Sequence, residues 1–146
     1  MKIMQFQGKY RWLSNFWPAV IRSNGESYSS VEHAYQAEKC ADAEDRKMFS
    51  RAGLSAGQAK RLGRQIKIRE DWDDNLKLLV MNILIRRKFL QNTDLREKLL
   101  ATGDAVLVEG NLWGDRFWGV CLGRGENHLG KILMEVREEL RHQNRP

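Results

Sequence analysis

The pattern of apolar and polar residues near the N-terminus predicts a small sheet. Extended runs lie near Ile3–Phe6 and Ala19–Arg22. The second run leads into Ser23-Asn24-Gly25-Glu26, and an Asn-Gly pair that follows an extended segment is a strong signal for a hairpin turn. We therefore expect a short antiparallel hairpin ahead of the first helix.

Helical periodicity begins at Ser29 and dominates the rest of the chain. The helices are expected at about Ser29–Ala41, Ala43–Ala52, Ser55–Leu62, Trp72–Gln91, Thr93–Thr102 and Leu129–His142. Gly53 and Gly63 suit the left-handed residue that follows a helix, and Asp71, Thr93 and Asn127 suit N-caps. The longest helix is apolar almost all round, so we expect it to be central and mostly buried.

The segment Gly110–Gly125 differs in composition from the helices on either side. It contains five glycines together with Trp113, Phe117 and Trp118. Such a stretch is too rich in glycine for a helix and too aromatic for a linker. Ala105–Glu109, just before it, reads as a brief strand. We expect an ordered loop that contributes to a ligand site.

Length and composition indicate one folded domain, residues 1–146. Of the 146 residues, 42% are hydrophobic and 30% charged, as in ordinary globular proteins. No stretch approaches the roughly 20 apolar residues of a membrane span, so we expect a soluble cytoplasmic protein without a membrane partner. Cys40 and Cys121 are too few for a disulfide framework, and the three histidines lack metal-ligand spacing. We therefore expect neither a metal nor a cofactor.

Positive charge is concentrated in one part of the chain. The formal net charge is +6, and eight lysines and arginines lie between Arg46 and Arg69. A surface of this kind attracts anions, although a solvated helical face that only aids solubility has the same composition. Phosphorylated small molecules, dinucleotides and nucleic acid all remain candidate partners.

The first helix carries the strongest candidate for chemistry. Glu32, Gln36 and Lys39 lie at positions i, i+4 and i+7, which places carboxylate, amide and amine within roughly 60° of arc on one helical face. A structural interpretation competes with this one. Ser29-Ser30-Val31-Glu32 matches a capping box with Ser29 as N-cap, and spacing alone favours that box for Glu32 and a surface position for Lys39.

Two further clusters combine aromatic and small polar residues. Asp115–Gly119 leads through Gly123–Gly130 into the last helix, where glycines permit close approach, aromatic rings offer stacking faces and helix amides attract anions. An aromatic loop that only covers the core would look the same, and the dinucleotide and P-loop fingerprints are missing. The other cluster is Trp12–Pro18, and part of it is expected in the core.

Taken together, these clusters resemble the NADAR (YbiA-like) superfamily. The matching pieces are Leu13–Phe16, Glu32–Lys39, Asp71-Trp72, Met81, Lys88-Phe89, Leu107–Glu109, Phe117–Gly119 and Asn127–Arg137. They occur in family order and cover nearly the whole chain, and their joint occurrence outweighs the structural interpretations of Glu32 and Lys39. The chain departs from many relatives at Val120-Cys121-Leu122, which leaves base recognition open.

The resemblance implies a mainly helical α+β fold with a small antiparallel sheet, and an N-glycosidase that cleaves the bond between ribose C1′ and an exocyclic amine. Two substrate classes are associated with such proteins. One consists of the phosphoribosylamino-pyrimidine intermediates of riboflavin biosynthesis. The other is guanine with ADP-ribose on its exocyclic amine, as a nucleoside or within DNA or RNA. No cofactor is implied.

Site residues follow from the same resemblance. Glu32, Lys39 and Asp115 are expected to be catalytic. The expected substrate-binding residues are Ser14, Asn15, Phe16, His33, Gln36, Trp72, Trp118, Gly119, Asn127 and Gly130. We expect the stripe of Glu32 and Lys39 to face a cavity covered by the tryptophan-glycine segment.

Two other classes of function remain open from the sequence. One is a non-catalytic module that binds ADP-ribose or NAD, although a binder has no need for a carboxylate and an amine on one helical stripe. The other is a nucleic-acid-binding protein, which only the net charge suggests. Within the glycosidase class, Lys39 either attacks C1′ to form a Schiff base or merely binds a hydroxyl or phosphate during direct hydrolysis.

Overall fold

Two compact units make up the chain in a computed structural model that describes residues 1–143. The central unit is Asn15–Asn92, and the terminal unit combines Met1–Ser14 with the segment from Thr93 onward. The described residues form helices and three two-stranded sheets. The expected α+β class, dominated by helix, is therefore confirmed. No helix in this range is both long and apolar enough to span a membrane.

The central unit opens with the predicted hairpin. Strand β2 (Ile21–Ser23) pairs antiparallel with β3 (Glu26–Tyr28), with Ile21 opposite Tyr28. Asn24 and Gly25 both have positive φ, 52° and 79°. That conformation matches the type I′ turn that Asn-Gly favours, because it follows the natural twist of the two strands. The turn prediction is confirmed.

Helix α1 (Val31–Glu38) follows the hairpin and is buried from Val31 to Ala37. Its N-cap is Ser30, whose side chain accepts the amide of His33. The predicted cap at Ser29 is wrong, because the carbonyl of Ser29 is still paired with the amide of Ala19 beside the hairpin. Glu32 is consequently not the third residue of the helix, and the capping-box interpretation of its carboxylate fails.

Helix α1 also ends earlier than the predicted Ala41. Lys39 is its C-cap, and the chain beyond it runs alongside residues 67–69. Two backbone hydrogen bonds fix that pairing: the amide of Ala41 donates to the carbonyl of Lys67, and the amide of Arg69 donates to the carbonyl of Lys39. The backbone groups that would have extended the helix are therefore used by a neighbouring segment.

Three more helices complete the central unit. They are α2 (Ala43–Met48), α3 (Ala56–Leu62) and α4 (Asp74–Gln91). Gly53 has the expected positive φ of 86°, whereas Gly63 has a right-handed φ of −61°, so its predicted role as a left-handed cap is wrong.

The longest helix, α4, departs from its prediction at the start and on one face. It is capped by Asp73, whose side chain accepts the amide of Leu76. The predicted cap, Asp71, is instead paired with Arg69 at 2.6 Å. The helix is only half buried, because Leu79, Ile83 and Leu90 are exposed along one face.

The terminal unit contains a 3₁₀ helix at Gly8–Leu13, helices α5 (Thr93–Ala101) and α6 (His128–Gln143), and four short strands. Its strands are β1 (Lys2–Ile3), β4 (Val106–Leu107), β5 (Gly110–Asn111) and β6 (Val120–Cys121). They pair in parallel, β1 with β4 and β5 with β6. Thr93 was predicted as the N-cap that precedes α5. In the structure it is the first residue of that helix.

Ser30 provides a direct test of where α1 begins. Ser30 as a residue is 1% exposed, and its hydroxyl lies 2.6 Å from Nδ1 of His33. Ser30→Ala removes the cap and leaves a buried imidazole nitrogen without its partner, so we expect a loss of about 1 to 3 kcal/mol in the free energy of unfolding. Urea denaturation measures this loss.

Ser29→Ala is the matched control, because Ser29 is exposed and only its backbone carbonyl is bonded. It should change the stability by no more than about 0.5 kcal/mol. A larger loss for Ser29→Ala than for Ser30→Ala would contradict the assignment of the cap.

Candidate active site

Three side chains on one face of α1 form a continuous hydrogen-bonded chain. Nε2 of Gln36 donates to Oε1 of Glu32 at 2.8 Å, and Nζ of Lys39 donates to Oε1 of Gln36 at 2.9 Å. We call this the α1 polar chain. Glu32 and Gln36 are only 8% and 5% exposed, so water offers little alternative to these bonds. The stripe predicted from helical spacing is a bonded unit.

Burial moves both ends of the α1 polar chain toward their neutral forms. Desolvation raises the pKa of Glu32, and it outweighs the hydrogen bond from Gln36 and the nearby charges of Lys60 and Lys39. Desolvation likewise lowers the pKa of Lys39, against the attraction of Glu32. A carboxyl group that keeps its proton and an amine that loses one are what a general acid and a nucleophile require.

The start of α1 is anchored by a residue that the sequence placed in the site. The amide of Glu32 donates to the main-chain carbonyl of Asn15 at 3.1 Å. Nδ2 of Asn15 donates to Sδ of Met81 at 3.5 Å, while its buried Oδ1 has no hydrogen-bond partner among residues 1–143. Asn15 therefore holds the backbone at the start of α1, next to the residue that carries the Glu32 carboxyl.

Aromatic rings from other segments lie near the same helix. The ring of Trp72 lies 5.5 Å from that of Tyr35 on α1, in a tilted arrangement. Nζ of Lys60 lies 5.9 Å from the ring centroid of Phe16, which is 43% exposed. The central unit thus places Phe16 beside a cationic residue of α3 and Trp72 beside an aromatic residue of α1.

His33 is occupied by protein partners. Its Nδ1 bonds the hydroxyl of Ser30, and its Nε2 lies 2.6 Å from the carbonyl oxygen of Leu54. Because a carbonyl only accepts, Nε2 carries the proton and Nδ1 accepts from Ser30. Both ring nitrogens are therefore used, and the imidazole joins α1 to the chain ahead of α3.

The terminal unit holds the second predicted cluster, built around Asp115. Its Oδ1 accepts the amides of Phe117 and Trp118 at 3.1 and 2.9 Å. The buried Asn111 completes the turn, since its side chain accepts the amide and donates to the carbonyl of Asp115. Nδ2 of Asn111 also lies 3.1 Å from Oε2 of Glu109. Asp115 thereby fixes the backbone of its own loop.

The side chain of Asn127 bonds the chain ahead of α6, and Gly130 lies against that side chain. Asn127 has a φ of 55°, and its side chain bonds the carbonyl of Leu107 and the amide of Glu109 at 3.0 Å each. The side chain is thus committed to the segment after β4 and not to the first turn of α6, contrary to the prediction. A Cβ at Gly130 would overlap the side chain of Asn127.

Two other predicted residues have local structural contacts. Ser14 is the C-cap of the 3₁₀ helix, where its amide bonds the carbonyl of Arg11. Gly119 is buried, and a Cβ there would lie 2.7 Å from Nδ2 of Asn111 and nearer still to Glu109. Glycine at this position allows the loop to close against the strand before it. The cavity expected between the two predicted clusters stays a prediction.

Sequence reasoning did not predict the surroundings of several residues. Lys60 was part of the basic span, but only the packing of α3 against α1 brings its charge near Glu32. Lys88 is fully buried, and desolvation lowers the pKa of its amine to about 7. The sequence pattern places Lys88 on an otherwise apolar helix face. It does not show which residues surround the side chain. Glu109 was named only as the end of the brief strand and of the matching piece Leu107–Glu109, and Asn111 gave no signal.

Fold and site together describe a mainly helical α+β protein with a buried carboxyl and a half-buried amine joined through an amide. Within residues 1–143, no group of three or more histidine, cysteine, aspartate or glutamate side chains could hold a metal ion. The family model of the NADAR domain matches residues 4–141. The chain belongs to the NADAR domain family, and the resemblance stated from the sequence is confirmed.

Individual relatives support the assignment. A riboflavin biosynthesis protein of Vibrio vulnificus is 46% identical over 132 residues, which are 88% of this chain but only 35% of that protein. An N-glycosidase of Nostoc punctiforme is 41% identical over 138 residues, covering 91% of this chain and 87% of that protein. The NMR structure of Escherichia coli YbiA has a TM-score of 0.84 at 36% identity, over 98% of this chain and 85% of that one.

The raised pKa of Glu32 predicts how its removal changes stability with pH. A carboxyl group with a raised pKa holds its proton longer in the folded state, so stability falls as pH rises above the ordinary value of 4.5. Glu32→Gln cannot ionise and escapes that loss. The free energy of unfolding is measured by urea denaturation at about pH 4 and at about pH 8 for both proteins. The difference between the variant and wild type should favour the variant more at the higher pH.

Glu44→Gln is the matched control, because the side chain of Glu44 is 87% exposed. It should show no comparable gain. If the difference in unfolding free energy between Glu32→Gln and wild type were the same at both pH values, the fold would not raise the pKa of Glu32.

Proposed function

We propose that this protein hydrolyses the bond between ribose C1′ and an exocyclic amine of a base. The observation that carries the proposal is the α1 polar chain, in which a buried carboxyl with a raised pKa and a half-buried amine with a lowered pKa are held on one helix. The chain is an N-glycosidase of the NADAR domain family. Relatives that it covers over most of their length bear that activity in their names.

Two substrate classes fit the chemistry of the site. One is a phosphoribosylamino-pyrimidine, consistent with the riboflavin biosynthesis proteins of Vibrio vulnificus and maize among the relatives. The other is guanine with ADP-ribose on its exocyclic amine, free or in nucleic acid. Both are anionic, and Lys60, Lys77 and Arg64 supply positive charge around Glu32 and Lys39. Two free, buried cysteines favour a reducing cytoplasmic location.

The reaction begins with the special chemistry of an exocyclic ribosylamine. The nitrogen lone pair opens the furanose ring, the ring oxygen takes a proton, and C1′ becomes the electrophilic carbon of an imine. The neutral carboxyl of Glu32 donates the proton that assists this opening. A carboxyl with a raised pKa is suited to the step, because it holds its proton to a higher pH than an ordinary carboxyl does.

Lys39 then acts as the nucleophile. Its neutral amine forms a bond from Nζ to C1′, and a proton then passes from Nζ through the Glu32 carboxylate to the base nitrogen. The bond from C1′ to that nitrogen breaks, and the base leaves as its amine. The sugar is now joined to Lys39 as a Schiff base. Water adds to C1′ and gives one proton to Nζ and one to the Glu32 carboxylate. The bond from C1′ to Nζ then breaks, so that the sugar leaves as its aldehyde and both Lys39 and Glu32 return to their starting forms.

Gln36 keeps the acid and the nucleophile in a fixed relation. Its Oε1 accepts from Lys39 and its Nε2 donates to Glu32, so the amide has one orientation that satisfies both partners. The amide of Gln36 does not titrate, so it does not pass protons between Glu32 and Lys39. We propose that it binds no substrate but sets the separation of the two reacting groups, and that His33 has a similar supporting role.

For the terminal unit we propose a substrate-contacting loop, Asp115–Gly119. Oδ1 of Asp115 is committed to two amides of the loop, which leaves Oδ2 to orient a water or a ribose hydroxyl. Trp118 packs edge-on against Phe117, with 4.8 Å between ring centroids. Its indole would contact the base by stacking.

Parallel incubations test the function itself. The protein is mixed with guanosine-linked ADP-ribose and with phosphoribosylamino-pyrimidines, and release of the sugar phosphate is followed by mass. We expect turnover of at least one class, and a loss of about 10²-fold or more in Glu32→Gln because an acid–base group is removed. Tight binding of ADP-ribose with no turnover of either class would contradict the proposal.

Borohydride trapping tests the role of Lys39. With a turned-over substrate, the reductant should fix the sugar to Nζ, seen as added mass on the peptide that contains Lys39. Lys39→Arg retains the charge but gives no adduct, and its turnover should fall by about 10²-fold or more. Lys47→Arg, at a lysine whose side chain is 62% exposed, should behave as wild type. Turnover without any adduct would favour direct hydrolysis, with Lys39 only as a binding group.

A further inference from the structure

Gly63 is buried at the end of α3, and its backbone does not require glycine. Its φ of −61° and ψ of −15° are ordinary right-handed helical values. Any residue adopts this conformation without strain. The reason for glycine must therefore be the space around its Cα.

That space is filled by Gln36, the middle member of the α1 polar chain. A Cβ built on Gly63 would lie 2.6 Å from Cδ and 3.3 Å from Cγ of Gln36, and closer still to Oε1. Contacts under about 3 Å force one of the partners to move. Gln36 is 5% exposed, and Oε1 is the atom that accepts the hydrogen bond from Lys39.

Gly57 shows that this closeness is specific to Gly63. It lies on the same helix, but a Cβ there would meet only Nη1 of Arg61, at 3.9 Å. That is an ordinary van der Waals contact with the mobile end of a side chain. Of these two glycines in the α3 region, only Gly63 restricts a member of the site.

We propose that Gly63 is a positioning residue of the active site, whose missing side chain lets Gln36 lie where it donates to Glu32 and accepts from Lys39. It touches no reacting atom and acts only through Gln36. Its effect on catalysis rests on the proposed function, whereas its effect on the hydrogen bonds does not.

Displacement of Gln36 has a defined electrostatic consequence. The hydrogen bond from Gln36 is the largest influence that lowers the pKa of Glu32. A methyl group at position 63 would push the amide away and raise that pKa further. Lys39 would lose its acceptor at the same time, so the acid and the amine would no longer be held in register.

A double-mutant cycle tests the inference in the full chain. The variants are Gly63→Ala, Gln36→Ala and the two combined, with Gly57→Ala as the matched control. Each is labelled with ¹³C at the glutamate carboxyls, the titration of Glu32 is followed by NMR, and kcat and KM are measured on the substrate that is turned over. Circular dichroism and thermal melting report whether the fold is retained.

Gly63→Ala should raise the pKa of Glu32 and lower kcat by about 10-fold or more, with a smaller change in KM. Gln36→Ala should do the same, and adding Gly63→Ala to it should have no further effect, because the two changes act on one contact. Gly57→Ala should resemble wild type. An unchanged titration of Glu32 in Gly63→Ala, or effects that add fully in the double variant, would overturn the inference.

If Gly63→Ala does not fold, the double variant decides. Removing the Gln36 side chain clears the space for the methyl group, so the double variant should fold and titrate as Gln36→Ala does. A double variant that also fails to fold would overturn the inference. Coupling seen in the titrations without turnover of any ribosylamine would retain the role of Gly63 in the hydrogen bonds and reject the proposed function.

Discussion

Helix α1 is buried along most of its length, so each polar side chain on it must find a partner inside the protein. Glu32 and Lys39 are both satisfied through Gln36, while His33 is satisfied by Ser30 and Leu54. Burial also raises the pKa of Glu32 and lowers that of Lys39. One constraint thus gives the site its geometry and its chemistry.

Neighbouring elements serve this helix. Asn15 holds the amide of Glu32, α3 brings Lys60 near the carboxyl, and the end of α3 leaves room for Gln36 at Gly63. Burial that shifts the pKa values of two ionisable groups toward their neutral forms lowers the free energy of unfolding. Such destabilising shifts are found at functional sites. The stability and the proposed chemistry of the site therefore make opposite demands on Glu32.

Sequence patterns predicted the elements well and their ends less well. Asn24-Gly25 specifies its turn by local backbone preference, so the hairpin was predictable. The caps at Ser30 and Asp73 were misplaced because another capping residue lies one or two positions earlier, and only the pairing of Ser29 and Asp71 elsewhere decides between them. The parallel pairing of two-residue strands leaves no periodic signal, since each strand is too short to alternate.

The candidate site shows the same division. Helical spacing was enough to place Glu32, Gln36 and Lys39 on one stripe. It did not reveal that Gln36 bonds both neighbours, that both nitrogens of His33 are engaged, or that Gly63 is needed for space. Those facts depend on segments distant in sequence, such as residue 54 and the end of α3.

The most direct test of the account is the titration of the Glu32 carboxyl by ¹³C NMR in the wild type and in Lys39→Met. The account predicts a pKa above the ordinary value of 4.5 in the wild type, and a higher one in the variant because the positive charge of Lys39 opposes the effect of burial. An ordinary pKa that does not respond to Lys39→Met would contradict it, since the two groups would then be neither buried nor coupled.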